Sequence, residues 1–202
     1  MKIEEQLEMF EKMRQSLHHF NFINDKDWQI FTKEFKLKSF KKGDLFVMEG
    51  QQCNQIGFLN RGIARVYYVI DGKEITSYFN AGNRNMFVCS FTSFLSRRPS
   101  FENVHFLEDS ELLLLDYEQL QVLYDKSPSI QKLGRLMAEH NYVLSMERIY
   151  SLQHSPAIDR YNDMLKIYPG LMNQIPHHYI ASYLGITPES LSRIRKNTLK
   201  KK

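Results

Sequence analysis

The alternation of apolar and polar positions divides the chain into a helical section, a section of short strands and a second helical section. Over residues 1–40, apolar residues recur every three or four positions, which is the spacing of one helix face. We expect two helices there, the second capped by Asn24. Their apolar positions are Leu7, Phe10, Met13 and Leu17 in the first helix and Trp28, Phe31 and Phe35 in the second.

Residues 41–115 have the pattern of short strands separated by turn residues. Asp71 and Gly72 lie between two runs that are rich in β-branched and aromatic residues. An Asp-Gly pair in this place predicts a type I′ hairpin turn, in which both central residues have positive φ. Residues 112–115 are four consecutive leucines and predict a fully buried closing strand. Many short strands at this spacing indicate an antiparallel barrel or roll.

The third section is helical again, and a serine followed by a proline marks the start of two of its helices. Ser127 and Pro128 open a long helix, because serine caps a helix end and proline fits the first helical position. Ser155 and Pro156 are expected to start a later helix that runs through Tyr168. Asp116 is expected to cap a short helix that precedes the long one.

The long helix has an apolar stripe that is wider than one packing partner needs. One edge of the stripe is therefore expected to face the chain's own roll and the other edge a second subunit. The alternative is an ordinary core helix in a monomer. The candidate dimer positions are Leu133, Leu136, Met137, His140, Val143 and Leu144.

The most informative pattern lies at residues 179–196, where two short helical segments flank a glycine. Gly185 follows the last apolar residue of the first segment, where a left-handed residue often ends a helix. Thr187 then caps the second helix and Pro188 begins it. This order is typical of a helix-turn-helix, whose second helix enters the DNA major groove. The candidate DNA-binding residues are Thr187, Glu189, Ser190, Ser192, Arg193, Lys196 and Asn197, with His178 on the first helix.

Charge is concentrated at the same end of the chain. Residues 187–202 contain six basic residues and one acidic residue, a net +5, whereas the whole chain carries +4, so residues 1–186 sum to −1. Neutralising DNA phosphates requires such a local excess of positive charge. The alternative is a pair of small packed helices with a solvated basic face.

Composition excludes several other classes of protein. Hydrophobic residues make up 43% of the chain and aromatic residues 13%, which supports a folded core. Two cysteines give no disulfide framework, and the histidines, which lack metal-ligand spacing, are expected in surface or cap roles. No apolar run approaches a membrane span, and the N-terminus does not resemble a signal peptide. We therefore expect a cytoplasmic protein with no catalytic residues, no metal and no cofactor.

The order of these elements resembles the cyclic-AMP receptor protein/FNR family of bacterial transcription regulators. The residues that carry the resemblance are Lys42, Gly43 and Asp44, Glu49 and Gly50, Asn60, Arg61 and Gly62, residues 107–112 and residues 179–196. It implies an α+β fold in three parts. Residues 1–126 would form an antiparallel β-roll of cyclic-nucleotide-binding type (a double-stranded β-helix) with flanking helices. Residues 127–152 would form a long dimerisation helix, and residues 153–202 a helix-turn-helix domain of winged-helix type.

By the same resemblance, the protein is expected to be a homodimer that binds an inverted repeat in double-stranded DNA and contacts RNA polymerase, with no membrane association. The family's recognition helix typically carries an Arg-Glu pair and a second Arg four residues after the Glu. Here Glu189 and Arg193 match that pattern, but Pro188 replaces the first Arg. The base preference is therefore expected to differ from that of the family's best-known member.

The ligand pocket departs further from the family. Cyclic-nucleotide binders hold the ribose with a Gly-Glu pair and the phosphate with an Arg followed by a small residue, and the matching stretch here has neither, since the Arg position falls near Ser100. The pocket is therefore not suited to cyclic AMP, and it is either filled without a ligand or adapted to a more apolar effector. The candidate pocket residues are Phe87, Cys89, Ser90, Phe91, Arg97, Arg98, Ser100 and Phe101.

Two alternatives to this function stay open. One is a small-molecule sensor or interaction module whose C-terminal part contacts protein and does not read DNA. The other is a regulator that responds to a cyclic nucleotide after all. Steep salt dependence of binding to a duplex separates a DNA reader from the first alternative, and titration with cyclic AMP tests the second.

Overall fold

The computed structural model describes residues 3–17, 22–82 and 85–199. Within these residues, two α-helices precede a β-roll that contains one short α-helix, and five α-helices follow, with a short 3-10 helix (Leu171–Asn173) between the third and the fourth of them. The helices are α1 (Ile3–Ser16), α2 (Asp25–Lys33), α3 (Phe91–Ser96), α4 (Tyr117–Lys126), α5 (Pro128–His154), α6 (Ala157–Ile167), α7 (His177–Tyr183) and α8 (Pro188–Leu199). The strands are β1 (Lys36–Phe40), β2 (Leu45–Val47), β3 (Gln55–Arg61), β4 (Ile63–Ile70), β5 (Lys73–Ala81), β6 (Phe87–Val88), β7 (Asn103–Phe106) and β8 (Ser110–Asp116).

The N-terminal section confirms its predicted helices but not its predicted end. Asn24 caps α2, since its side-chain oxygen accepts a hydrogen bond from the Asp27 amide at 2.9 Å. Phe35 lies beyond that helix although it is buried. The helical prediction for residues 36–40 is wrong, because they form β1 and pair with β8. The buried strand β8 needs a hydrogen-bonding partner at this edge, and that tertiary requirement overrides the local pattern.

The roll consists of two antiparallel four-stranded sheets, with strand orders β1-β8-β3-β6 and β2-β7-β4-β5. The four leucines of β8 are buried, as predicted, and lie between β1 and β3. The hairpin between β4 and β5 is also confirmed, since Asp71 has φ of 50° and Gly72 has φ of 73°. The sequence therefore predicted the antiparallel roll and its sharpest turn.

The long helix α5 begins as predicted, because the Ser127 hydroxyl accepts from the Ile130 amide at 3.3 Å and Pro128 is the first helical residue. One other predicted cap is wrong. The Asp116 side chain does not cap α4; it accepts hydrogen bonds from Gln55 and Lys36 of neighbouring strands. The helix α6 begins directly after Ser155 and Pro156, as predicted, although no side chain caps it.

Two hydrophobic cores organise the described residues. The first fills the roll and includes α1, α2 and the start of α5, through Ile130 and Leu133. The second joins Ile63, Phe79 and Ala81 of the roll to the side chains of α6, α7 and α8. The C-terminal helices therefore share a core with one edge of the roll.

Candidate nucleic-acid interface and effector pocket

The helices α7 and α8 form a compact two-helix unit joined by a four-residue turn. Gly185 has φ of 64°, a left-handed conformation that glycine adopts without strain. The Ile186 amide donates to the Ala181 carbonyl at 3.0 Å and so closes the end of α7. The Thr187 hydroxyl accepts from the Ser190 amide at 3.3 Å, and Pro188 begins α8. The predicted turn and cap are therefore confirmed.

One face of α8 is exposed and polar. Leu191 is buried and anchors the helix in the second core, whereas Ser192, Arg193, Lys196 and Asn197 are exposed. Arg193 is oriented by a hydrogen bond from its Nη2 to the Ser190 hydroxyl at 3.1 Å. This face offers hydroxyl, amide and cationic groups, which are the groups that contact base edges and phosphates.

The other predicted DNA-binding residues lie at the N-terminal ends of the two helices. Glu189 is exposed on the first turn of α8, and hydrogen bonds from its own amide and from the Thr187 hydroxyl lower the pKa of its carboxyl group. His178 is exposed on α7, with its ring centroid 4.1 Å from that of Tyr179. His18 and His19, expected in surface or cap roles, and Lys200, Lys201 and Lys202, part of the basic segment, lie outside the described residues.

Sequence reasoning missed a pairing beside this face. Arg195 Nη1 lies 2.7 Å and 3.0 Å from the two ring nitrogens of His177. Arg195 is therefore drawn back toward α7 and does not extend from the outward face of α8. Eighteen residues separate Arg195 from His177, so no local sequence pattern predicts this contact.

At the predicted effector pocket, three buried side chains contact one another. The Ser100 hydroxyl lies 2.9 Å from the Ser90 hydroxyl and donates to the Glu102 carbonyl at 2.7 Å. The Ser90 hydroxyl donates to the Glu102 carboxylate at 3.2 Å. Burial raises the pKa of Glu102, and hydrogen bonds from Ser90 and Ser77 partly oppose that rise. A buried acid replaces the cation that a phosphate needs.

Glu102 was absent from the sequence prediction. It lies immediately before β7, next to residues that were selected by their match to the family's phosphate pair. An acid at the start of a strand is ordinarily exposed. The hydrogen bond from Ser90, which lies before α3, satisfies this buried carboxylate, and no local pattern around Glu102 predicts that contact.

The two predicted arginines lie away from these serines. Arg97 has φ of 61° at the end of α3, and its guanidinium donates to the Cys53 carbonyl at 2.9 Å and to Asn54 at 2.6 Å. It also lies 3.7 Å from the centroid of the Tyr117 ring. Arg98 is exposed. The half-buried Arg97 guanidinium is therefore engaged by Cys53, Asn54 and Tyr117, whereas Arg98 extends to solvent, and the role of both arginines in a pocket stays a prediction.

Phe101 and Cys89, two further predicted pocket residues, differ in exposure. Phe101 is 54% exposed and lies at the surface of the roll. The Cys89 thiol is fully buried, which raises its pKa well above the ordinary value and keeps it protonated. Their place in an effector pocket stays a prediction.

Phe87 and Phe91 line an apolar cavity between the roll and the start of α5. Tyr124 brings a hydroxyl to this cavity, and burial raises its pKa to about 12. Gly134 leaves room for that hydroxyl, since a Cβ there would overlap it. Other lining residues are Phe31, Phe35, Phe94, Leu133 and Met137. The cavity wall is therefore aromatic and aliphatic.

The candidate dimer positions divide between two faces of α5. Leu133 is 1% exposed and packs in the core of the roll, and Met137 packs against the same core. Leu136 and Leu144 are half-buried, whereas His140 and Val143 are exposed. The structure therefore corrects the assignment of Leu133 to the dimer face, because the roll already covers it.

A second apolar stripe continues along the exposed face of α5. Its members recur at helical spacing toward the C-terminal end and have no cover within the described residues. They are Tyr142, Val143, Met146, Ile149 and Tyr150. A contiguous exposed patch of this kind marks an interaction surface.

The family comparison agrees with the geometry of the roll. Residues 37–127 match the cyclic nucleotide-binding domain family. The match covers the roll and α4, so this part of the chain is similar to cyclic nucleotide-binding domains. A search of curated proteins finds none that matches the chain.

Solved structures extend the likeness beyond the roll. FixK2 from Bradyrhizobium japonicum has a TM-score of 0.70 at 16% identity, over 83% of this chain and 85% of that chain. The c-di-GMP responsive global regulator CLP of Xanthomonas campestris has a TM-score of 0.67 at 15% identity, over 88% and 93%. A protein from Eubacterium rectale, described as a transcriptional regulator of the crp/fnr family, has a TM-score of 0.67 at 19% identity, over 90% and 86%. At these identities the likeness shows a shared fold.

None of the helices described by the structure is long and apolar enough to cross a membrane.

Proposed function

We propose that the chain is a transcription regulator of the cyclic-AMP receptor protein/FNR type that reads an inverted repeat in double-stranded DNA as a homodimer. The observation that carries the proposal is the outward face of α8, where Ser192, Arg193, Lys196 and Asn197 are exposed on a helix capped by Thr187. Support comes from the fold shared with FixK2, CLP and the Eubacterium rectale protein.

The exposed stripe on α5 supports a homodimer. A second copy of the same helix would cover Val143, Met146 and Tyr150, which are otherwise about half exposed or more. Two-fold symmetry would then place two α8 helices on two half-sites about one DNA turn, roughly 34 Å, apart. Contact with RNA polymerase remains part of the proposal by family resemblance.

The pocket chemistry supports a regulator that does not respond to cyclic AMP. Ser90, Ser100 and Glu102 satisfy one another at the place where a nucleotide binder needs a guanidinium and a ribose-binding carboxylate. A phosphate brought there would face the Glu102 carboxyl group without a compensating cation. An effector, if the protein binds one, would be an apolar molecule in the cavity lined by Phe87 and Phe91. We propose that the protein acts without a cofactor, without a metal and without catalytic activity.

Selection of bound sites from random duplex DNA tests the proposal. We expect an inverted repeat whose half-site centres are separated by about one helical turn. Arg193→Ala should weaken binding to the selected duplex by about tenfold, through the loss of one base or phosphate contact worth roughly 1–3 kcal/mol. Arg98→Ala, which removes an exposed arginine from the roll, is the matched control and should bind as the parent does.

Three outcomes would contradict the proposal. A selection that enriches no sequence would argue against sequence reading. Equal affinity of the Arg193→Ala variant and the parent would remove α8 as the reading helix. A saturable calorimetric isotherm with cyclic AMP at micromolar concentration would overturn the interpretation of the pocket.

A further inference from the structure

Arg65 lies in the middle of β4 with a fully buried side chain, which is exceptional for an arginine. Its Nε donates to the Thr76 hydroxyl at 2.9 Å, and its Nη1 donates to the Glu74 carboxylate at 2.6 Å. Both partners lie on β5. The Nη2 atom has no partner among the described residues. The guanidinium is therefore held in a fixed plane beside β5.

Two aromatic rings flank that guanidinium. The Arg65 guanidinium carbon lies 4.3 Å from the Tyr67 ring centroid and 3.7 Å from the Tyr179 ring centroid. Tyr67 belongs to β4, whereas Tyr179 belongs to α7 of the two-helix unit. A cation held against an aromatic face is attracted most strongly when both are desolvated. One residue of the roll thereby holds one residue of the two-helix unit.

Ser182 makes a second connection at the same place. Its hydroxyl accepts from the Thr76 amide at 2.8 Å and donates to the Glu74 carbonyl at 3.0 Å. The two residues of β5 that bind the Arg65 side chain therefore also bind α7 through their backbone. We call Arg65, Glu74, Thr76, Tyr179 and Ser182 the latch.

The C-terminal end of α7 is also held by α5 and α6. Arg148 of α5 donates to the Tyr183 carbonyl and lies 3.9 Å from the centroid of the Tyr183 ring. Arg160 of α6 donates to the Leu184 carbonyl at 2.9 Å. Since α8 follows after the short turn at Gly185, the direction of α8 depends on where α7 is held.

We propose that Arg65 is a positioning residue for DNA reading: by holding Tyr179 it fixes α7 on β5 and so sets the position of α8 relative to α5. This inference rests on the proposed function of α8. The latched arrangement leaves Ser192, Arg193, Lys196 and Asn197 exposed, so it presents the reading face. A dimer must offer two such faces at one fixed separation. Because α7 is already held in place, DNA binding does not have to offset the free energy of ordering it.

The test uses paired variants on α7, because Arg65 itself is buried and its replacement endangers folding. Tyr179→Leu keeps an apolar side chain on α7 but removes the ring, whereas Tyr179→Phe keeps the ring and serves as the conservative control. Ser182→Ala removes the second connection independently. Binding is measured by fluorescence anisotropy on three duplexes: the selected inverted repeat, the same repeat with one base pair inserted between half-sites, and a single half-site.

We expect Tyr179→Leu and Ser182→Ala to bind the selected repeat about tenfold more weakly than the parent, since one desolvated contact is worth roughly that factor. The preference for the selected repeat over the lengthened one should shrink in both variants, while affinity for the single half-site stays at the parental value. Tyr179→Phe should match the parent on all three duplexes. A residue that only supports the fold of α8 would lower all three affinities together.

Unchanged spacing preference in Tyr179→Leu would overturn the role of the latch, and so would an equal loss of affinity on the single half-site. If the parent binds none of the duplexes, the proposed function is wrong. The contact between the roll and α7 is then tested by a distance measurement that needs no DNA. Spin labels on Lys42→Cys and Asn197→Cys, both exposed positions, report the distance between the roll and α8. Broadening of that distance in Tyr179→Leu would support the latch, and an unchanged distribution would overturn it.

Discussion

At the scale of single residues, the polar side chains buried in the roll are the features that sequence reasoning foresaw least. Arg65 occurs in a run of apolar and aromatic residues in which a cation is expected to face solvent. It is buried because α7 covers it from a part of the chain more than one hundred residues away. By contrast, Asn24, Ser127 and Thr187 bond within their own helix ends, so their caps could be predicted.

His105 gives a residue-scale prediction of pH dependence. Its ring centroid lies 4.9 Å from that of Tyr67 and 5.9 Å from that of Tyr179, and its Nε2 has no partner among the described residues. Burial, followed by the positive charge of Arg65, lowers the pKa of His105 to about 4, while Glu74 opposes this shift. The folded state therefore holds His105 neutral at a pH where the unfolded chain already binds a proton.

Because the folded pKa lies below the unfolded value, stability is lost as pH falls from about 6.5 toward 4. Between about pH 7 and pH 5 we expect His105 to cost about 1 kcal/mol of the free energy of unfolding, after allowance for partial exposure. His105→Phe keeps a ring and should show a smaller decrease in urea midpoint over this range. Equal decreases in variant and parent would refute the assignment. The pKa of Glu102 is raised, so this residue favours the folded state as pH falls. That effect is the same in the parent and in His105→Phe, and it cancels when their urea midpoints are compared.

Gly134 gives a second residue-scale prediction. Alanine in a helix interior ordinarily stabilises by about 1 kcal/mol relative to glycine. Here a Cβ at Gly134 would overlap the Tyr124 hydroxyl and approach its ring. Gly134→Ala should therefore lower the free energy of unfolding, by about 1–3 kcal/mol, as overpacking does. Tyr124→Phe should recover part of that loss in a double-mutant cycle monitored by urea unfolding. Additive effects would show that the two positions do not meet.

At the scale of elements, the apolar pattern identified α5 and β8 but did not decide which face of α5 meets which partner. The sequence shows one broad stripe, and the structure divides it because the roll covers Ile130 and Leu133 and leaves Met146 and Tyr150 exposed. The strand β1 was missed for a related reason: its short segment gains its conformation from pairing with β8. The spacing of apolar residues predicts which face of a helix is apolar, but it does not predict which part of the molecule packs against that face.

This division predicts the effect of a charge on the exposed stripe. Met146→Glu would place carboxylates against one another across a symmetric helix pair, where like charges repel and lose solvation. We expect a dimer in the parent and a monomer in Met146→Glu by sedimentation equilibrium, with little change in the monomer's far-ultraviolet circular dichroism. Gln131→Glu, an exposed position near the start of α5, is the matched control and should leave the dimer intact. A Met146→Glu variant that remains dimeric would place the interface elsewhere.

At the scale of the whole molecule, charge and packing act on the same C-terminal unit. Residues 187–202 carry a net +5 while the remainder of the chain sums to −1, so positive charge is concentrated in the C-terminal part of the sequence. The second core nonetheless joins that end to the roll through Phe79, and the Tyr168 hydroxyl donates to the Phe79 carbonyl at 3.0 Å. The charge asymmetry could be read from the sequence alone. The shared core could not, because its members come from strands and helices about one hundred residues apart.

The positive end predicts the salt dependence of the whole dimer. Each phosphate neutralised by a lysine contributes about −0.9 to the slope of log affinity against log salt concentration. If each subunit places Lys196 on a phosphate, Lys196→Ala should make the slope of the dimer shallower by about 2, counting both copies. Anisotropy titrations of the selected duplex at several salt concentrations measure that slope. Lys26→Ala removes an exposed lysine from α2, far in sequence from α8, and should leave the slope at the parental value. A parental slope in Lys196→Ala would exclude this residue from the phosphate contacts, whereas the same shallower slope in Lys26→Ala would mean that binding follows the overall charge of the molecule and not the face of α8.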